Sequence, residues 1–181
     1  MSQNSVISVN SQIHLSEFRS ADQAACVEFL NDREIYDRTL RIPHPYTPAS
    51  FEQWLTILEQ SLSKHGQRVN WAIRNETSFL IGGIGFDDLE IGKSHRAEIG
   101  YWLAKPYWGR GIMTAVVKRA CQYAFDVWGL AKITAHVFLF NAASARVLEK
   151  CGFQQEGLLR QHHLKDGQLI DAYLYGLLRD A

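Results

Sequence analysis

Two glycines, Gly109 and Gly111, stand between a segment that alternates like a strand and a segment with the spacing of a helix. Pro106 stops the strand-like segment, and the glycines remove two β-carbons where the chain must turn tightly. A turn of this kind at a helix N-terminus presents backbone N–H groups without helical partners, and the helix dipole adds positive potential there. The pattern predicts a site for an anion, most often a phosphate group.

The turn by itself also allows a plainer interpretation, in which glycine only lets the chain bend. Two phosphate-binding motifs are excluded at this turn. A Rossmann fingerprint needs a third glycine after Gly109-Arg110-Gly111, and a P-loop needs Gly-Lys followed by Ser or Thr, and neither pattern occurs here. A phosphate-bearing cofactor stays compatible with the turn, but the turn does not name it.

The elements that must position this turn are strands and helices in one continuous series. Strands are predicted at 13–19, 68–75, 79–87, 94–103, 132–139, 154–163 and 169–178. The central helix follows Gly111 and ends near Gly129, with an apolar face formed by Met113, Val116, Val117, Ala120, Ala124 and Val127. The other helices are predicted to begin at Ser20, Pro48 and Asn141.

The order β-α-α-β-β-β-α-β-α-β-β predicts an α/β (α+β) fold. We expect a mixed, mostly antiparallel sheet of about six to seven strands, with helices on both faces. Residues 41–48 hold three of the four prolines and are predicted to form an ordered but irregular loop.

Composition limits the classes of function. The 181 residues are 46% hydrophobic and carry no net charge, which predicts one globular domain over residues 1–181 and argues against a nucleic-acid partner. We expect no membrane helix and no signal peptide, because no apolar run is long enough and the N-terminus is polar. Cys26, Cys121 and Cys151 form no zinc or redox pattern, so we expect small core residues and a reducing cytoplasm.

Three segments, with the order of elements, resemble the GCN5-related N-acetyltransferases (GNAT), and within them the RimJ/RimL-like branch. The segments are AEIGYWLAKPYWGRGIMTAVV, NAASARVLEKCGF and EGLLR…DGQLIDAYLYGLL. The second is the most specific, since it holds at the family spacing Asn141, Ser144, Lys150, Gly152 and Phe153. The resemblance extends over residues 14–178 and implies the GNAT fold.

The resemblance implies acetyl-coenzyme A as the cofactor, with its pyrophosphate on the backbone amides of 109–113. Free backbone groups near 101–103 would hold the pantetheine arm, at a splay between strands 97–103 and 132–139. Trp108 stands where many members have Gln or Arg, and Met113 stands at a Gly or Ala position. The cofactor-binding residues implied in this way are Tyr101, Trp102, Leu103, Trp108, Gly109, Arg110, Gly111, Ile112, Met113, Thr114, Asn141 and Ser144.

The implied reaction is the attack of a neutral amine on a thioester, which needs a proton acceptor and a donor to the leaving thiolate. Many members place a tyrosine where this chain has Leu148. RimL-like members use a serine at the Ser144 position, which here could also merely pack after the Asn141 cap. Glu98 is the candidate base, although it could instead be a structural carboxylate paired with Arg96 or His136.

Five further side chains are predicted to line the acceptor side, and each is equally compatible with a solvated surface: His44, Tyr46, Arg160, His162 and Asp171. We expect a protein or peptide N-terminal α-amine as acceptor. A small-molecule amine such as a polyamine, antibiotic or amino acid stays open, as does a non-catalytic acyl-CoA-binding module. No metal site is predicted, and pairing of two copies through the C-terminal strand is compatible with the sequence.

Overall fold

The structure is a computed structural model that describes residues 6–179; residues 1–5 and 180–181 lie outside it. Along the described residues, short 3₁₀ turns lie at Ser20–Asp22 and Lys105–Tyr107. The strands and α-helices are β1 (Ile7–Ser8), β2 (His14–Ser16), α1 (Gln23–Leu30), α2 (Arg33–Arg38), α3 (Pro48–His65), β3 (Asn70–Arg74), β4 (Leu80–Asp87), β5 (Arg96–Leu103), α4 (Ile112–Trp128), β6 (Lys132–Phe138), α5 (Ala142–Lys150), β7 (Gln154–Lys165) and β8 (Gln168–Leu178).

The strands form one sheet with the order β1-β2-β3-β4-β5-β6-β8-β7. β5 and β6 run parallel, whereas the pairs β1–β2, β2–β3, β3–β4, β6–β8 and β7–β8 are antiparallel. The predicted mixed, mostly antiparallel sheet is therefore confirmed. The described residues hold eight strands rather than six to seven, because the two residues of β1 pair with β2.

The N-terminal third differs in detail from the prediction. The first predicted strand, 13–19, is reduced to β2, because the backbone N–H of Arg19 donates to Asp22 at 2.7 Å and starts a 3₁₀ turn. The helix predicted from Ser20 begins instead at Gln23, after that turn. An additional short helix, α2, follows Asp32, whose carboxylate accepts from the backbone N–H of Glu34 at 2.8 Å.

The described chain divides into two compact units. One contains the residues up to Gly85 together with Tyr101–Ile112, and the other contains Phe86–Gly100 and the residues from Met113. The single domain over 1–181 stays a prediction, and its termini lie outside the described residues. No described helix combines the length and the apolar character that crossing a membrane requires.

The first unit is built around an apolar cluster that joins α1, α2, α3 and the sheet. Its buried members include Cys26, Leu30, Ile35, Phe51 and Ala72. α3 begins and ends as the sequence predicts, since Thr47 caps its N-terminus and Gly66 adopts a left-handed conformation with φ of 69° at its C-terminus.

The second unit is built around α4 and the strands β6 and β8. The buried face of α4 contains the predicted residues except Val127, which is 53% exposed. Phe125 and Trp128 are buried instead, because the apolar face of this helix turns toward Phe86, whose ring lies 5.1 Å from that of Trp128. The hairpin of β7 and β8 closes through a turn at Asp166-Gly167, as predicted.

Candidate active site

The glycine turn has the conformation that an anion site requires. Gly109 and Gly111 both have φ of 74°, a region that glycine adopts without strain, and α4 begins at Ile112. A β-carbon placed on either glycine meets no described atom within 4 Å, so open space lies in front of the turn. Met113 is 7% exposed, so its side chain packs inward and only its backbone is suited to a ligand. The turn therefore fits a phosphate group held by backbone amides.

The segment before the turn is held together by its aromatic side chains. The indole Nε1 of Trp108 donates to the carbonyl oxygen of Leu103 at 2.7 Å, and the guanidinium of Arg38 lies 5.3 Å from the Trp108 ring. Arg110 stacks in the same way on Tyr107, at 5.7 Å. The Leu103 carbonyl oxygen thus accepts one hydrogen bond within the chain and keeps a second lone pair, and its contact with a pantetheine arm stays a prediction.

Trp102 packs against the glycines of β4. A β-carbon on Gly82 would stand 2.5 Å from the Trp102 carbonyl oxygen, and one on Gly83 would stand 2.6 Å from its indole Nε1. Glycine at these two positions therefore allows the C-terminal end of β5 to approach β4 closely. The position of Trp102 is set by this packing, and its contact with a cofactor stays a prediction.

Glu98 lies where β5 and β6 are in register. The parallel pairing joins Arg96 to Lys132, Ala97 to Ile133 and Glu98 to Thr134, and among the described residues it ends there. The Thr134 hydroxyl donates to the carbonyl oxygen of Ala97 at 3.3 Å, which ties the two strands together just before their pairing ends. This short register agrees with the predicted splay.

The carboxylate of Glu98 faces a histidine. Its Oε1 lies 3.6 Å from Nδ1 of His136, and about a fifth of each side chain is exposed, 20% for Glu98 and 19% for His136. Burial lowers the pKa of His136 below its ordinary value, the positive charge of His162 lowers it further, and Asp88 acts in the opposite direction. The sequence names His136 only as a structural partner of Glu98; the contact is confirmed, and the use of the pair as a base stays a prediction.

Two more imidazoles adjoin His136. The His136 ring centroid lies 4.9 Å from that of His162 and 5.3 Å from that of His163. His162 is among the predicted acceptor residues, whereas His163 is not predicted at all. Regular alternation along β7 would place these two neighbours on opposite faces, so the sequence carries no signal that would bring both to His136.

Asn141 and Ser144 begin α5. The Asn141 side-chain oxygen accepts from the backbone N–H of Ser144 at 3.3 Å, which confirms the predicted cap. The bond uses the backbone N–H of Ser144, whose side chain is half-buried. Leu148 is fully buried, so its position packs in the core and supplies no acid. Thr114, on α4, accepts from Cys151 Sγ at 3.4 Å through its carbonyl oxygen, so its backbone serves the packing of the second unit.

Two of the five predicted acceptor residues, His44 and Tyr46, belong to the first unit. His44 is exposed and its ring lies 5.0 Å from that of Tyr36. Tyr46 is 5% exposed in the core of the first unit, and burial raises the pKa of its phenol. The Tyr46 side chain packs in the apolar cluster of this unit, and two hydrogen bonds join its backbone to the Asn31 side chain at 2.8 and 2.9 Å. Its contact with an acceptor stays a prediction.

The remaining three acceptor candidates lie together on the β7–β8 hairpin. Arg160 and His162 are exposed on either side of Gln161, which has a positive φ of 49°. Asp171 accepts from the backbone N–H of Gln161 at 2.7 Å. The Asp171 carboxylate therefore stabilises the bend of β7, and contact of these residues with an acceptor stays a prediction.

Comparison with known proteins places the chain in a family. A family model described as the acetyltransferase (GNAT) domain matches residues 12–154. The chain is 38% identical over 133 residues to an uncharacterized N-acetyltransferase, YoaA, of Bacillus subtilis. The aligned region covers 72% of this chain and 75% of the relative. It is 36% identical over 100 residues to the putative ribosomal N-acetyltransferase YdaF of Bacillus subtilis, over 55% of this chain and 54% of the relative.

Solved structures agree on the fold. The ribosomal-protein-S5-alanine acetyltransferase of Vibrio fischeri is similar with a TM-score of 0.83 and 23% identity, over 97% of both chains. The spermidine N-acetyltransferase of Vibrio cholerae, in complex with CoA and spermine, is similar with a TM-score of 0.76 and 25% identity, over 93% of this chain and 96% of that one. The protein belongs to the GNAT family of N-acetyltransferases, and acetyl-CoA is its acetyl donor.

Proposed function

We propose that this N-acetyltransferase transfers acetyl to the N-terminal α-amine of a protein or peptide. The observation that carries the proposal is the Glu98–His136 pair, because it offers a proton acceptor beside the end of the β5–β6 register. The similarity to a putative ribosomal N-acetyltransferase at 36% identity supports the same acceptor class.

The turn at Gly109 and Gly111 fits the pyrophosphate of acetyl-CoA. When bound, this donor supplies a thioester carbonyl that an amine can attack. The backbone amides of 109–113 would hold the phosphates, because the two glycines leave the space before them open. Asn141 would contact the pantetheine arm near its thiol end, as the family resemblance implies.

Glu98 and Ser144, both in the second unit, would assist the reaction at the amine and at the leaving thiolate. Glu98, directly or through water, would accept the proton that the amine loses, and His136 would hold the carboxylate in place. Ser144 would donate a hydrogen bond to the leaving thiolate. With Leu148 buried at the usual tyrosine position, Ser144 is the candidate that the family pattern supplies for this role.

The acidity of the amines favours the α-amine. An α-amino group has a pKa of about 7.7–8.0 and a lysine side chain one of about 10.4, so presenting a neutral lysine at neutral pH costs about 3 kcal/mol more. A terminal α-amine is already partly neutral and makes the smaller demand on the enzyme.

A small-molecule amine is the second candidate. The spermidine N-acetyltransferase of Vibrio cholerae has the same fold over 93% of this chain, and its structure contains spermine. Polyamines carry primary amines, and their acetylation would need the same donor turn but a different acceptor surface.

A peptide with a free N-terminus and one internal lysine separates these acceptors. The enzyme is incubated with acetyl-CoA and the peptide, and mass spectrometry locates the acetyl group. We expect modification at the α-amine, and none on a control peptide whose N-terminus is blocked. Modification at lysine alone would contradict the proposal. Spermidine is tested in a parallel reaction, and turnover on spermidine with no peptide modification would favour the second candidate.

A further inference from the structure

Three imidazoles meet on one side of the second unit. His136 comes from β6, and His162 and His163 come from β7. One nitrogen from each ring can be chosen so that all three lie within 4.8 Å of one another. His136 and His163 are half-buried and His162 is exposed, so two rings of the cluster are partly enclosed and the third is open to solvent.

The backbone of β7 departs from regular geometry at this point. Neighbouring residues of a strand point to opposite faces, so His162 and His163 could not both reach His136 from a regular β7. The pairing of β7 with β8 shifts register between Leu159 and His163, and Gln161 has φ of 49°. A positive φ is uncommon in residues other than glycine, asparagine, aspartate and histidine, and residues held in strained backbone conformations cluster at functional sites.

The register shift and the positive φ of Gln161 form a β-bulge in β7, and a hydrogen bond holds this bulge in place. The backbone N–H of Gln161 donates to Asp171 Oδ1 on β8 at 2.7 Å. The bulge thus turns two consecutive histidines toward the same neighbour, and a carboxylate from the partner strand fixes it.

We propose that His136, His162 and His163 form a binding site for a divalent transition-metal ion, with Zn²⁺ as the ion that fits best. Imidazole nitrogen is a ligand that Zn²⁺ accepts readily, whereas Mg²⁺ and Ca²⁺ prefer oxygen. Three protein ligands leave a fourth position for water, and the exposed edge at His162 gives that position access to solvent.

The distances suit a site that closes on the ion. Zn–N bonds of about 2.0–2.1 Å place two nitrogens of a tetrahedral ion about 3.3 Å apart. The ligand nitrogens of the three rings are now up to 4.8 Å apart, so this distance must decrease by roughly 1.5 Å. Rotation of an exposed imidazole about its side-chain torsions can bring its nitrogen that much closer. His162 is the ring with that freedom, since the other two are partly enclosed.

A carboxylate stands behind one of the three rings. Glu98 Oε1 lies 3.6 Å from His136 Nδ1, as in sites where a carboxylate orients a ligating histidine. Nε2 of His136 would then face the ion. Removing such a supporting carboxylate typically weakens metal binding by about 10–100-fold.

The test measures zinc binding directly, with protein that carries no polyhistidine tag and has been freed of metal by a chelator. Zn²⁺ is titrated in competition with a chromogenic zinc indicator. We expect one Zn²⁺ per chain, bound at least about a hundredfold more weakly by His163→Ala, and about 10–100-fold more weakly by Glu98→Gln. Mg²⁺ at the same concentration should not compete.

His65→Ala is the matched control, because His65 lies at the end of α3 and is not one of the three. His162→Gln, at an exposed position, provides a second variant in case His163→Ala unfolds, and circular dichroism checks both. Co²⁺ is the spectroscopic probe, with four-coordinate visible bands expected in the wild type and absent from His162→Gln. The proposal is overturned if wild type binds Zn²⁺ no more tightly than His162→Gln, or if His65→Ala lowers the affinity equally.

Discussion

At the scale of single residues, Arg74 shows how a charge is accommodated inside the first unit. It is 2% exposed, and its two terminal nitrogens each donate to a different oxygen of Asp22 at 2.8 Å. Its Nε donates to the Ser16 hydroxyl at 2.6 Å. A buried guanidinium with this many partners joins β3, β2 and the turn before α1.

Removing one partner of a buried ion pair leaves the other charge without compensation. Asp22→Asn should therefore lower the free energy of unfolding by about 3–5 kcal/mol, measured by urea denaturation. Glu17→Gln is the control, because Glu17 pairs with Arg68 at 2.7 Å at a partly exposed position. That change should cost about 1 kcal/mol or less, and equal losses in the two variants would contradict the role given to Asp22.

The catalytic role proposed for the Ser144 hydroxyl can be tested while the helix cap made by the Ser144 backbone is kept. Its backbone N–H makes the cap with Asn141, and alanine retains that N–H. Ser144→Ala should lower turnover roughly tenfold or more while leaving affinity for acetyl-CoA nearly intact. The measurement is steady-state release of free thiol, with an unchanged thermal midpoint as the sign that α5 is intact. Unchanged turnover under conditions limited by chemistry would return Ser144 to a packing role.

At the scale of elements, the strands and long helices follow from hydrophobic period and capping, and most were predicted. The sequence names His136 as a structural partner of Glu98, and the structure supplies the reason for their contact. The parallel pairing of β5 and β6 joins Glu98 to Thr134, two residues before His136, and so places both side chains on one side of the sheet. The bulge at Gln161 could not be predicted, since it depends on a hydrogen bond to Asp171, ten residues away on the next strand. The hydrogen bonds that hold the Tyr46 backbone could not be predicted for a similar reason, because their partner Asn31 lies at the C-terminal end of α1, 15 residues away along the chain.

The glycines of β4 make a testable claim about strand packing. Alanine at Gly82 would place its β-carbon 2.5 Å from the backbone oxygen of Trp102 and 3.2 Å from Leu103 Cα, and neither backbone atom can move cheaply. We expect Gly82→Ala to lower the free energy of unfolding by about 1–3 kcal/mol, measured by urea denaturation.

Gly157→Ala is the matched control for this change. Gly157 also lies in a strand, and its β-carbon would meet no described atom within 4 Å. It should therefore change the free energy of unfolding by well under about 1 kcal/mol. A loss at Gly157 as large as that at Gly82 would show that the close approach to β5 is not the cause.

At the scale of the whole molecule, the order of elements and the GNAT fold could be predicted because the family motifs lie at known places in it. The exceptions are β1 and α2, which are too short for hydrophobic period to reveal. The acceptor amine could not be predicted from the family motifs in the same way. It depends on a surface of polar side chains whose partners come from distant parts of the chain, as the histidine cluster shows.

Titration calorimetry with coenzyme A tests most directly whether the turn at Gly109 and Gly111 holds the donor. Gly111→Glu places bulk and a negative charge where the phosphates would lie. Gly92→Glu is the matched control, because Gly92 also has positive φ, 82°, and open space before it. Wild type and Gly92→Glu should bind coenzyme A alike, while Gly111→Glu should bind at least about tenfold more weakly. Equal affinity in Gly111→Glu and Gly92→Glu would contradict the assignment of this turn as the donor site.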